Sequence, residues 1–271
     1  MKKFLIPIDF SETSVNAAKY AVSLIDGNPD AHLIFYHVFS KITLATLNSK
    51  EEGSRYKISE HTLEGIKSQL NPSGSLFISC VVEEGSFVEN LSDYAMGNKI
   101  DLIIMGITGS SKIKQVFMGT NTLNVVRNVN CPVMIIPPQA AYNGIKKVVF
   151  TSDFKDVART TPFGAIKKLL NFFKPELQIL NVDEDHYVEL TEEYKIEKNS
   201  MEENLHEFNP QYAFLRSFDF VDSINSFIES RNIDAIITLP RKQGFISQLF
   251  KTSHTKMLAY HSKVPIIAIP S

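Results

Sequence analysis

The chain is written twice. Lys3-Phe4-Leu5-Ile6-Pro7-Ile8-Asp9-Phe10 aligns with Lys147-Val148-Val149-Phe150-Thr151-Ser152-Asp153-Phe154, and each copy sets an Asp-Phe pair directly after an apolar run. Later in each half, Lys99-Ile100-Asp101-Leu102-Ile103-Ile104-Met105 aligns with Asn232-Ile233-Asp234-Ala235-Ile236-Ile237-Thr238, and Cys131-Pro132-Val133-Met134-Ile135-Ile136-Pro137 with Val264-Pro265-Ile266-Ile267-Ala268-Ile269-Pro270. Whatever architecture suits one copy must also suit the other, so the repeat restricts the fold before any single element is assigned. At 271 residues, each copy is long enough to bury a core of its own. Two domains are expected, 1–140 and 141–271, with Pro138 to Gly144 as the joint.

Within each copy, short apolar runs alternate with helix-spaced segments. In the first, Phe4 to Ile8, Leu33 to Val38, Leu76 to Val82, Leu102 to Met105 and Val133 to Ile136 read as strands. Between them fall a helix capped by Ser11 or Thr13 with Ala17, Ala18, Ala21, Val22 and Ile25 on one face, a helix through Ile58, Leu63, Ile66 and Leu70, another through Phe87, Leu91, Tyr94 and Ala95, and a last from Thr122 to Arg127. The second copy repeats the order: strands Val148 to Phe150, Leu177 to Val182, Tyr212 to Arg216, Ala235 to Thr238 and Ile266 to Ile269. Its helices run through Phe163 to Leu170, Thr191 to Glu207, Val221 to Ile228 and Thr255 to Tyr260. The polar stretches Thr43 to Tyr56 and Asp183 to Lys195 read as surface linkers or helix extensions. Several strands are too apolar to alternate in and out, which predicts a mainly parallel sheet with helices on both faces.

Charge excludes some functions. With 28 basic and 30 acidic side chains the formal charge is -2, so the chain as a whole exerts no pull on nucleic acid or an anionic membrane. No run approaches the roughly 18–20 apolar residues of a membrane span, and the apolar start ends at Asp9, too early for a signal peptide. Cys80 and Cys131 form no ligand spacing and read as buried thiols of a reducing compartment. A soluble, cytoplasmic protein is expected.

The chemistry concentrates in one run. Met105-Gly106-Ile107-Thr108-Gly109 follows a strand, and Gly119-Thr120-Asn121 opens a helix. Glycines between a strand and a helix N-terminus let backbone N–H groups approach a phosphate chain, although each is also an ordinary turn residue. In a parallel sheet of this kind, ligands sit at the carboxyl ends of the strands, where Asp9, Val38 and Gly106 would gather. Asp9 suits a ribose or base acceptor or a helix cap; Val38 suits an apolar wall for adenine or simple core. His37 reads as a packed or hydrogen-bonded side chain rather than a ligand. Lys112 and Lys114 add positive charge to the intervening loop or are merely solvated. No GxxxxGK[ST], GxGxxG after the first strand, GxSxG or HExxH is present, so P-loop, dinucleotide, hydrolase-elbow and zincin chemistry are disfavoured.

Taken together, these residues resemble the universal stress protein family in its tandem form. The family's nucleotide-binding members carry Gly-x2-Gly-x9-Gly-Ser/Thr, matched by Gly106, Gly109, Gly119 and Thr120; a Pro-x-Asp closing the first strand, matched by Pro7-Ile8-Asp9; and a valine closing the second, matched by Val38. The resemblance implies two Rossmann-like domains of the adenine nucleotide α-hydrolase-like kind, each a five-stranded parallel sheet of order 3-2-1-4-5, with fifth strands pairing across an intramolecular pseudo-dimer. It also implies ATP or a related adenine nucleotide, with or without Mg2+. Asp9 and Val38 would meet adenine or ribose, Pro7, Ile8 and Met105 flank them, and Gly106, Gly109, Gly119, Thr120 and Asn121 would hold phosphates.

The second copy departs from this pattern. Leu239, Lys242 and Thr252 stand where the three glycines stand, and Ser253 keeps only the hydroxyl. Side chains there obstruct backbone approach, and Pro240 removes a donor. Arg241 and Lys242 could bind an anion or be solvated. One site is therefore expected, in the first domain of a regulatory stress-response protein. A protein partner of unknown kind is implied, no nucleic acid or membrane, and a homodimer of the tandem chain stays open. No residue stands out as a nucleophile or base, so a dedicated enzyme is not expected, though slow hydrolysis is compatible. A ligand-free interaction scaffold and an ATP-dependent enzyme of the related hydrolase-like fold are the alternatives.

Overall fold

The computed structural model describes residues 2–40, 49–107, 120–183, 192–216, 220–240 and 264–270. The chain divides into two compact units between Tyr142 and Asn143, each with five strands among the described residues. In the first unit the strands are β1 (Lys3–Pro7), β2 (His32–Phe39), β3 (Phe77–Glu84), β4 (Leu102–Gly106) and β5 (Val133–Ile136), paired in parallel in the order β3-β2-β1-β4-β5. In the second they are β6 (Lys147–Thr151), β7 (Glu176–Asp183), β8 (Gln211–Arg216), β9 (Ala235–Thr238) and β10 (Ile266–Ala268), parallel in the order β8-β7-β6-β9-β10. The 3-2-1-4-5 order implied by the resemblance is present in both.

The central strands carry no polar face because both of their faces are covered. Phe4, Leu5 and Ile6 in β1 and Val148, Val149 and Phe150 in β6 are all at 0% exposure. Helix α1 (Glu12–Ile25) turns Ala17, Ala18, Ala21 and Ile25 inward, and Ser11 caps it, its Oγ accepting the Ser14 N–H at 3.3 Å. The others in this unit are α2 (Ser49–Leu70), α3 (Phe87–Gly97) and α4 (Thr120–Asn128). Of the polar stretch around Thr43 to Tyr56, residues 49–56 are helical, an extension of α2. Helix α4 begins at Thr120, so Thr120 and Asn121 belong to its first turn.

One corner of the repeat has a plain physical cause. Helix α3 ends with Lys99 left-handed at φ 53°, and the Ile100 N–H donates back to the Ala95 carbonyl at 3.0 Å. Asp101 then accepts the Lys2 and Lys3 N–H groups at 2.8 and 3.2 Å, fixing the start of β1. The second unit does the same: Asn232 at φ 54°, Ile233 N–H to Ile228 carbonyl at 3.0 Å, and Asp234 accepting from Lys146 and Lys147 at 2.8 Å each.

The second unit differs in its first helix. The segment that matches α1 is split into α5 (Val157–Thr160) and α6 (Phe163–Phe173), separated by Thr161-Pro162. Pro162 cannot donate to a helical ladder, which accounts for the break. The apolar spacing from Phe163 onward predicts α6 and gives no hint of α5. Helices α7 (Glu192–Leu205) and α8 (Phe220–Arg231) follow, with a 3-10 turn at His206–Phe208. Lys112, Lys114, Arg241, Lys242, Thr252, Ser253 and the expected helix from Thr255 to Tyr260 lie outside the described residues.

Candidate functional site: the carboxyl ends of β1, β2 and β4

Strand β1 stops at Pro7, and its continuation builds a turn around Asp9. Pro7, Ile8 and Met105 are buried in the sheet, so these three can offer a ligand backbone groups rather than side chains. The Ile8 N–H still continues the ladder, donating to the Tyr36 carbonyl at 2.8 Å. Asp9 is exposed, and its Oδ1 accepts both the Ser11 N–H at 3.0 Å and the Ser11 hydroxyl at 2.5 Å. This turn-and-cap role takes one carboxylate oxygen. The other, Oδ2, has no hydrogen bond among the described residues.

The same turn reaches Gly106. A Cβ on Gly106 would lie 2.6 Å from the Thr13 carbonyl oxygen and 3.2 Å from the Ser14 nitrogen. Gly106 is therefore required for the close approach of α1 to the end of β4, and its φ is not in the left-handed region. Ser14, 5% exposed, joins the two sides, since its hydroxyl accepts the Asp9 N–H at 3.3 Å. Asp9 and Gly106 thus flank a single turn of α1. Strands β1 and β4 are adjacent and parallel, Phe4 opposite Leu102 and Leu5 opposite Ile103, which brings their carboxyl ends side by side.

Helix α4 closes this end of β4. Thr122 donates its hydroxyl to the Gly106 carbonyl at 3.4 Å, so the first turn of α4 sits at the strand end. The first N–H groups of a helix have no intrahelical partner, and the macrodipole there favours negative charge. Asn121 on that turn is exposed. Gly109 and Gly119 lie outside the described residues, as does the side chain of Thr120.

At β2, Val38 is half-buried. Two residues beside it that the sequence did not place in the site shape its rim. The His37 ring nitrogen Nδ1 lies 2.7 Å from the Ile8 carbonyl oxygen, and its ring packs against Phe10 with centroids 4.3 Å apart. Phe10 reaches that position through a left-handed backbone at φ 64°, a conformation uncommon for an aromatic residue. The repeated Asp-Phe pair was the available signal, since Phe154 is left-handed too, at φ 49°. On the same strand, Tyr36 is buried and donates its hydroxyl to Glu83 of the neighbouring β3 at 2.6 Å. Burial first, and then the Glu83 carboxylate, push its phenol well above the usual tyrosine range.

A model of the universal stress protein family matches residues 1–137. The chain belongs to the universal stress protein family. Universal stress protein MJ0531 of Methanocaldococcus jannaschii is 30% identical over 142 residues, a match covering 50% of this chain and 81% of that one. Universal stress protein MJ0577 of the same organism is 28% identical over 154 residues, covering 50% and 94%. Across the full length, the crystal structure of a universal stress protein from Archaeoglobus fulgidus superposes with a TM-score of 0.71 at 20% identity, covering 99% of this chain and 96% of the other. At that identity the likeness speaks to the fold, a tandem pair of Rossmann-like domains.

For a universal stress protein, the metal and thiol chemistry of the described residues is sparse. Among them, no group of three or more His, Cys, Asp or Glu could hold a metal ion. Cys80 and Cys131 are free and half-buried rather than fully buried. Burial pushes both thiols up to about 12, away from the thiolate form at neutral pH. No helix among the described residues is long and apolar enough to cross a membrane.

Proposed function

We propose that the first unit binds ATP or a related adenine nucleotide as a regulatory ligand, and that the second unit is its structural partner without a competent site. The observation that carries this is the placement of the glycine pattern. It starts at Gly106 on the end of β4 and finishes immediately before Thr120, the first residue of α4, whose unpartnered N–H groups suit phosphate oxygens. Asp9 supports it by keeping Oδ2 in reserve, an exposed acceptor for ribose or base. Pro7, Ile8, Val38 and Met105 line the crevice, and Gly106, Gly109, Gly119, Thr120 and Asn121 take the phosphates, with Mg2+ accompanying them where three phosphates are bound. The protein acts in the cytoplasm, and binding alters a surface read by a protein partner.

Titration of the purified chain with ATP in a calorimeter tests the proposal. The expected result is one nucleotide per chain, lost in Gly119→Val. No binding of ATP by the intact chain favours the scaffold alternative and ends this proposal. Rapid turnover that depends on a second substrate would point to the enzyme alternative instead.

A further inference from the structure

The duplication supplies its own control at His37. In the first unit His37 follows Tyr36 and faces the carbonyl of Ile8; in the second, the position that follows Leu180 is Asn181, facing the carbonyl of Ser152. The ladders run in matching register, Pro7 opposite Tyr36 and Thr151 opposite Leu180. The His37 Nδ1 is 2.7 Å from the Ile8 oxygen, and the Asn181 Nδ2 donates to the Ser152 oxygen at 2.9 Å. Both side chains perform the same task, giving a donor to the carbonyl released where the first strand ends. An asparagine suffices for it. The fold therefore does not explain why the first unit carries an imidazole.

What histidine has beyond asparagine is the far half of the ring. A carbonyl oxygen only accepts, so Nδ1 carries the hydrogen, and in the neutral ring Nε2 is then an acceptor. No hydrogen bond to Nε2 exists among the described residues. Asn181 is buried at 8% exposure, whereas His37 is half-buried at the crevice rim, its plane held against Phe10. We propose that His37 is the base-reading residue of the site, its Nε2 accepting a hydrogen bond from the exocyclic amine of a 6-aminopurine. A 6-oxopurine presents an oxygen at that place, acceptor against acceptor, and is selected against. This rests on the nucleotide site proposed above and assigns its selectivity to a residue outside the glycine pattern.

Calorimetric titration of the full chain with ATP and with inosine triphosphate, in the wild type and in His37→Asn, separates the possibilities. One lost neutral hydrogen bond with one opposed acceptor corresponds to a preference for ATP of about tenfold in the wild type. His37→Asn should lower it to about twofold or less on the same scale while the melting temperature holds, since asparagine keeps the backbone bond as it does at position 181. A second measurement needs no variant: N6,N6-dimethyl-ATP, which has no amine hydrogen, should bind the wild type about tenfold more weakly than ATP. Equal binding of the dimethyl analogue, or an unchanged preference in His37→Asn, overturns the assignment. So does a parallel loss of both affinities with a lowered melting temperature, which marks a structural role alone. A wild type that binds neither triphosphate removes the nucleotide site itself, and this assignment with it.

Discussion

Gly106 meets two demands at one atom. Its pro-chiral hydrogen faces the backbone of α1, where a methyl group would stand 2.6 Å from the Thr13 oxygen and 2.8 Å from the Thr13 carbonyl carbon. Backbone atoms cannot swing aside as a side-chain tip can, so Gly106→Ala must displace the first turn of α1. A cost of about 1–3 kcal/mol is expected, the usual range for overpacking a tight contact. Thermal unfolding without nucleotide measures it, and an alanine variant as stable as the wild type would show that the contact relaxes freely. Because Asp9, Ser11 and Ser14 belong to the same turn, the substitution should also weaken ATP, which makes Gly119→Val the cleaner probe of phosphate binding. In sequence, Gly106 is legible as a glycine after an apolar strand and as the first of the glycine pattern, but not as a packing contact. Its neighbour in space, Thr13, is far away in the chain and carries no mark of the contact. The two candidate roles of Asp9 are likewise legible from Asp9-Phe10-Ser11, but their division between Oδ1 and Oδ2 depends on the rotamer that the turn selects.

Elements were easier to read than residues, because periodicity is a local property and contact is not. The ten apolar runs match the ten strands of the described residues, most plainly at the central strands, where a buried parallel strand needs apolar side chains on both faces. The start of α2 was harder: residues 49–56 are polar, and only their continuity with the amphipathic stretch holding Leu63 makes them helical. Short α5 was invisible, having too few residues for a face. The repeated Asp after each helix corner is a case where a local signal carries an element-level role. Asp101 ties β1 to the chain entering β4, and Asp234 ties β6 to the chain entering β9, each through two backbone N–H groups. Hydrogen bonds to a charged acceptor are among the stronger ones, but these are largely exposed, so about 1–2 kcal/mol is expected for Asp101→Ala and the same for Asp234→Ala. Asn at either place keeps a carbonyl acceptor and should cost less. Urea unfolding of the four variants checks the pattern, and Asn variants as unstable as the Ala ones would contradict it.

Over the whole molecule, the two copies have the same strand order and differ where the first helix meets the fourth strand. In the first unit Gly106 admits the backbone of α1; in the second, Leu239 occupies the matching place and is 5% exposed. A leucine side chain there excludes a helix packed as closely as α1, and the second unit has in that stretch the four-residue α5, the break at Thr161-Pro162 and then α6. The missing glycine and the helix broken at Pro162 fall at corresponding places of the repeat, and each departs from the arrangement around Gly106. Restoring only the glycine therefore leaves the helix unrepaired. Leu239→Gly should open a cavity, costing about 3–5 kcal/mol by analogy with truncation of a buried leucine, and add no nucleotide. Native mass spectrometry in ATP is expected to show one nucleotide per chain for Leu239→Gly, as for the wild type. A second nucleotide in that variant would mean that the side chain alone kept the second unit empty, and that the broken helix plays no part in its lost site.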